Sequence, residues 1–195
     1  EHGFFTESFI DELAHAANED PLTFRLKLLE NPRHRRVLER VAEMAEWGKP
    51  LEPGFGRGIA VVESFGSVVA QVAEVSVRDK IIKVERVFAA VDCGEVIHPD
   101  TAAAQIEGGI VFGLSAALFD AITIRDGAVE QSNFFDYRLP KLADAPRTVV
   151  EFVRSDAPMG GLGEPGVPPV APAVANAVFA ATGVRLRELP LRLPS

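Results

Sequence analysis

The chain has 195 residues, 47% of them hydrophobic and 25% charged. Those fractions are average for soluble globular domains and exclude a disordered tail or a collagen-like repeat, and no run approaches the roughly 18 consecutive apolar residues that mark a membrane-spanning helix. Lys and Arg number 20 against 28 Asp and Glu, a net charge of -8 that argues against nucleic acid and anionic membrane surfaces as partners.

Glu1-His2-Gly3-Phe4-Phe5 has no initiator methionine and no basic-then-apolar signal, so the chain is expected to be a piece of a longer polypeptide or a processed product. Ser8-Phe9-Ile10-Asp11 has the form of a capping box, and Phe5, Phe9, Ile10, Leu13 and Ala17 recur at helical spacing. A first helix is therefore predicted to begin between Phe4 and Ser8. Asp20-Pro21 and Asn31-Pro32 each pair an N-cap residue with proline at the first helical position and predict two further helices, the last ending near Gly48.

Lys49 to Gly58, with two prolines and three glycines, is read as a linker. The period then changes to two. Ile59–Glu63, Val68–Val77 and Ile81–Asp92 are predicted strands, rich in β-branched residues. A helix follows from about Thr101 to Leu118, then a hairpin from Ala121–Ile124 and Val129–Phe134 with Asp126-Gly127 in its turn. Thr148–Arg154 is a strand, Ala171–Thr182 a helix closed by Gly183, and Arg185–Leu191 a last short strand.

The helix from Thr101 carries Gly108, Gly109 and Gly113 in its interior, each costing about 1 kcal/mol relative to alanine. Two readings stand: another backbone packs closely there, or a bulky ligand lies against the glycine face. Gln105, just before the glycines, can both donate and accept hydrogen bonds; by itself it is a surface or packing residue. Gly160-Gly161-Leu162-Gly163-Glu164-Pro165-Gly166 leads into a helix apolar on nearly every face, which must be buried. Glu164 on such a loop is either a partly desolvated base or a carboxylate satisfied by backbone N–H groups at the helix N-terminus. His2, His15, His34 and His98 lack ligand spacing, and His15 and His34 are expected to face solvent. Cys93, the single cysteine, permits neither an internal disulfide nor a thiolate zinc cluster and is expected to be small buried filling. Tyr137 lines a pocket or closes the core.

Glu7-Ser8-Phe9-Ile10-Asp11-Glu12-Leu13-Ala14-His15-Ala16-Ala17, Val91-Asp92-Cys93-Gly94, Gln105-Ile106-Glu107-Gly108-Gly109-Ile110-Val111-Phe112-Gly113-Leu114, Glu130-Gln131-Ser132-Asn133-Phe134 and Gly163-Glu164-Pro165-Gly166 occur in this order. Together they closely resemble the C-terminal part of the molybdopterin-binding subunit of the xanthine dehydrogenase and aldehyde oxidase family, with the isoquinoline 1-oxidoreductase large subunit as the nearest branch. The resemblance implies an α+β fold, with a mixed, largely antiparallel sheet flanked by helices. It implies residues 1–48 as a helical N-terminal segment and 49–195 as a molybdopterin-binding-type domain, one continuous fragment of a larger subunit.

For function, the resemblance implies oxidation of an N-heterocycle or aldehyde carbon with water as the oxygen source. Glu164 would be the general base; Gln105 and Gly163 would bind the cofactor. That cofactor would be molybdopterin with molybdenum, in its cytosine dinucleotide form, with electrons leaving to [2Fe–2S] clusters on a partner subunit. The family's Gly-Gln-Gly loop is absent from this sequence. The fragment alone is thus expected to be inactive, to bind no cofactor stably, and to need the remainder of its subunit, with an apolar face left open to self-association. Two rivals remain: a non-catalytic assembly fragment that completes a site only with a partner chain, and a hydrolase using Glu164 with water. The compartment and the small-molecule substrate stay open.

Overall fold

The computed structural model describes residues 2–194; Glu1 and Ser195, the outer ends of the two expected segments, lie outside the described residues. Three helices come first: α1 (His2–Ala16), α2 (Pro21–Leu28) and α3 (Pro32–Met44). Local chemistry starts the second and third. Asp20 accepts a hydrogen bond from the Thr23 N–H and Asn31 one from the Arg33 N–H, each followed by proline. The first helix begins earlier than the capping-box pattern suggests, so Ser8 lies inside it, its hydroxyl buried without a partner.

Strands β1 (Phe55–Ser64), β2 (Ser67–Arg78) and β3 (Ile81–Asp92) form an antiparallel meander, and β6 (Arg147–Phe152) adds to β3 in parallel, giving the order β1-β2-β3-β6. The sheet is mixed and largely antiparallel. Helix α3 covers one face, packing Val37, Leu38 and Val41 on Ile59, Val68, Val72 and Phe88. Helices α4 (Pro99–Leu118) and α5 (Val170–Thr182) cover the other, over Ala60, Val69, Ala73, Val87 and Val91. With both faces covered, β2 is buried from Ser67 to Ser76 and its sequence is a near-continuous apolar run rather than an alternation.

The stretch read as a linker is partly strand, because β1 begins at Phe55. Its glycines are there for α5. A Cβ at Gly56 would collide with Ala177 O, and one at Gly58 with Ala173 O and Ala177 N, so the helix rests directly on strand backbone. The hairpin around Asp126-Gly127 exists, but its strands, β4 (Ile124–Arg125) and β5 (Ala128–Val129), have two residues each. Arg185–Leu191 forms no strand; Leu186 and Leu191 anchor it to the core, and Leu191 N–H donates to Ala117 O. His34 is mostly buried, with Nε2 3.3 Å from Glu63, because α3 lies flat on the sheet.

A buried ionic network ties the first helices to the rest. Arg25 Nε donates to Glu7 Oε2 at 2.9 Å, its Nη2 donates to Glu7 O, and Nη1 lies 3.5 Å from Asp11. Glu7 Oε2 also accepts the Val61 N–H of β1, while Asp11 accepts from Arg185 at 2.7 Å. Removing one partner of such a set strands a charge away from water, which costs about 3–5 kcal/mol. Arg25→Met is expected to lower the urea midpoint by that much free energy with the m-value unchanged; a loss under about 1 kcal/mol would show the network to be dispensable.

Candidate functional site

The connection from β3 to α4 sets the first wall of the site. Asp92, at the end of β3, accepts hydrogen bonds at Oδ1 from Arg33 Nη2 (3.1 Å), Ser155 Oγ (2.6 Å) and the Gly94 N–H (3.2 Å). Burial pushes its carboxyl up, but the Arg33 and Ser155 bonds and the Gly94 N–H outweigh that and hold it below the ordinary range. Helix α4 then starts at His98-Pro99, where His98 Nδ1 accepts from the Thr101 N–H at 3.2 Å. The cap-then-proline pattern of Asp20-Pro21 and Asn31-Pro32 is repeated there with an imidazole acceptor, a signal the sequence reading passed over.

The second wall is the loop before α5. Pro165 and Gly166 are buried, and the Val167 N–H donates to Glu164 O at 2.8 Å, closing a turn that puts Glu164 on the rim. This loop packs on α4 through glycines from both sides. A Cβ at Gly166 would stand 2.8 Å from Ile106 O; one at Gly109 would stand 3.3 Å from Gly166 Cα, and one at Gly113 3.0 Å from Val167 O. Close backbone packing therefore accounts for Gly109 and Gly113. Gly108 is different: a Cβ there meets nothing within 4 Å.

Gly108 opens onto a hollow of about 490 Å³ between α4 and the loop, and Gln105, Gly163 and Glu164 line it together with Phe65, Phe112 and Val167. The three residues singled out from the sequence thus converge, although Gln105 and Glu164 are far apart in the chain. A Cβ at Gly163 would lie 4.0 Å from Gln105 Nε2. Among the described residues, neither the Gln105 amide nor the Glu164 carboxylate has a hydrogen-bond partner, so no helix N-terminus satisfies Glu164. Glu164 is exposed rather than desolvated, because the hollow is open and none of the described residues roofs it. Among the described residues it is the only ionisable one lining the hollow. Phe65 and Phe112 are apolar lining that sequence reasoning missed; Phe112 sits one turn beyond Gly108 on the same helix face.

Other candidates fall elsewhere. Tyr137 lies outside the hollow, near Asp120, with burial and that charge raising its hydroxyl. Cys93 is buried, and burial pushes its thiol up, as expected for inert filling. His15 is exposed, its ring edge-on to Phe179 at 4.9 Å.

Solved structures resemble this fold over part of its length. Quinoline 2-oxidoreductase from Pseudomonas putida 86 superposes with a TM-score of 0.60 and 25% identity, covering 64% of this chain and 17% of that one. The fold is thus shared with part of an oxidoreductase. The chain belongs to the molybdopterin cofactor-binding domain family, whose sequence profile matches residues 14–146. It is 38% identical over 97% of its length to isoquinoline 1-oxidoreductase subunit beta of Brevundimonas diminuta, and covers 25% of that protein. It is 35% identical over 95% of its length to a membrane-bound aldehyde dehydrogenase of Gluconacetobacter polyoxogenes named for pyrroloquinoline quinone, and covers 27% of it. The chain spans about a quarter of the length of these curated relatives. The matched profile includes Gln105 and ends before Gly163 and Glu164.

Two outcomes follow from this packing. Gly113→Ala is expected to destabilise by about 1–3 kcal/mol, whereas Gly108→Ala stabilises by up to about 1 kcal/mol; paired denaturation curves measure both, and equal effects would contradict the assignment. Asp92, with its folded-state pKa below the unfolded value of about 3.9, contributes stability in full above that pH and loses it as pH falls through the folded value. Asp92→Asn should lower stability at neutral pH and flatten the acid loss below about pH 4; an unchanged acid limb in unfolding curves would assign that loss to other carboxylates.

Proposed function

We propose that this chain forms one wall of the active site of a molybdenum hydroxylase that oxidises an N-heterocycle or aldehyde carbon, with water as the oxygen source and [2Fe–2S] clusters on a partner subunit as the electron outlet. One observation carries the reading: Gln105, Gly163 and Glu164 meet at a single hollow whose helix wall is bare backbone at Gly108. Those features suit a pterin. The unpartnered Gln105 amide offers both a donor and an acceptor, and the glycines let a flat, polar group lie against main chain. Molybdenum held by the pterin, in its cytosine dinucleotide form, supplies the two-electron redox chemistry when bound. Gln105 and Gly163 would hold the cofactor. Glu164 accepts a proton at its carboxylate as the new carbon–oxygen bond forms, the part a lone ionisable group beside a redox centre can play.

Among the described residues the hollow contains a base but no second ionisable side chain, which weighs against a hydrolase working with water alone. The open roof also bears on what the chain does by itself. Phe134, Phe135 and Leu142, in the segment between α4 and β6, are 83%, 84% and 92% exposed. Such apolar side chains suit burial under further polypeptide. The chain is therefore read as completing its site with the remainder of a larger subunit, and as binding no cofactor stably alone.

Glu164→Gln, made in the complete enzyme that carries this chain, is expected to keep its molybdenum by elemental analysis and to lose turnover by about 10²–10⁴-fold. Turnover unchanged with metal retained removes Glu164 from the chemistry. Pyrroloquinoline quinone in place of molybdenum in an active preparation overturns the cofactor assignment.

A further inference from the structure

Two side chains of β2, Ser67 and Gln71, reach the loop that carries Glu164. Ser67 Oγ donates to Gly161 O at 2.6 Å, and Gln71 Nε2 donates to Gly166 O at 2.8 Å. Gln71 is fully buried, on the face of β2 that Val69 and Ala73 bury under α5. A carboxamide is an expensive occupant of that position. Its Oε1 is buried without a donor, whereas an aliphatic side chain would leave no polar atom unpaired. What the carboxamide provides is the bond to Gly166.

That bond acts at a constrained point. On its other flank Gly166 stands against α4, with the place of a Cβ only 2.8 Å from Ile106 O. Gly166 is thus held between a strand below and a helix beside it, and Pro165, also buried, links it to Glu164. Glu164 has no side-chain hydrogen bond of its own among the described residues, so its position is set through the backbone alone. We propose that Gln71 is a positioning residue for Glu164: by holding Gly166 O it fixes the rim of the hollow, and with it the carboxylate, relative to Gln105. The inference rests on reading Glu164 as the base.

The test uses the complete enzyme. Gln71→Met keeps the length of the side chain and removes the donor; Gln71→Glu keeps a donor only while its carboxyl is protonated, a form that burial favours. The Met variant is expected to retain molybdenum and KM, to lose about ten- to a hundredfold in kcat, to shift the acid limb of the kcat–pH profile, and to speed amide hydrogen exchange across residues 160–167. The kcat of the Glu variant, taken as a ratio to the Met variant, should rise as pH falls. A wild-type kcat and pH profile in the Met variant overturns the proposal. So does a kcat loss that only matches lost metal or lost folded protein, because that is a structural role. If the Met variant does not accumulate, the ratio of the Glu variant to wild type decides: independence of pH overturns the proposal, and recovery at low pH supports it. Glu164→Gln separates the two readings. If it leaves turnover intact, the base assignment fails and the positioning role falls with it; if it abolishes turnover while Gln71→Met is silent, only the positioning role fails.

Discussion

Backbone lying directly on backbone is the constraint from which the site follows. Helix α5 can lie on β1 because Gly56 and Gly58 present no side chains, and the 163–170 loop can lie on α4 because Gly109, Gly113 and Gly166 present none. Both contacts belong to one layer. The loop runs straight into α5, so the height of α5 above the sheet sets how far the loop reaches toward α4. A single methyl in either seam would have to lift the layer, since interiors this close-packed transmit displacement rather than absorb it. Glu164 stands on the rim of the hollow, two residues before Gly166 in the α4 seam, which is how an exposed side chain with no partner of its own among the described residues can still have a defined place.

Charge plays a separate part. Glu7, Arg25, Asp11 and Arg185 join α1, α2 and the C-terminal segment beneath the surface, and Arg185 also stacks over Phe179 of α5 at 3.3 Å. Ion pairs of this kind are costly to desolvate and add little net stability over apolar packing. Their geometry is demanding, however. A carboxylate that must meet one guanidinium and one strand N–H admits few orientations of α1, whereas an apolar helix face would tolerate sliding.

Much of the architecture was legible because its causes are local. Asp20-Pro21 and Asn31-Pro32 are self-contained helix starts, and the β-branched content of β2 and β3 marks them as strands. The failures trace to partners distant in the chain. Gly56-Arg57-Gly58 reads as a linker until α5, more than a hundred residues later, is placed on it. Ser8-x-x-Asp11 has the pattern of a cap, yet Asp11 serves Arg25 and Arg185 instead. Glu7 and Asp11, one turn apart on α1, are both buried, which no local pattern announces. For the site, residue chemistry marked Glu164 and Gln105 as candidates but could not bring them together; only the family resemblance did. Neither of the two readings of Glu164, partial desolvation or satisfaction by backbone N–H groups, appears among the described residues: hydration depends on what roofs the hollow, and none of the described residues does.

The coupling of α1 and α5 to β1 has one more effect. Along the free side of that strand, the Val61 N–H is taken by Glu7 and Ile59 O accepts from Asn176 Nδ2 at 3.2 Å. These are two of the groups an incoming strand would pair with, and both are already occupied by side chains. This border of the sheet is therefore interrupted at its middle by a carboxylate and a carboxamide, a polar selvedge that spoils the template on which a neighbouring strand would zip.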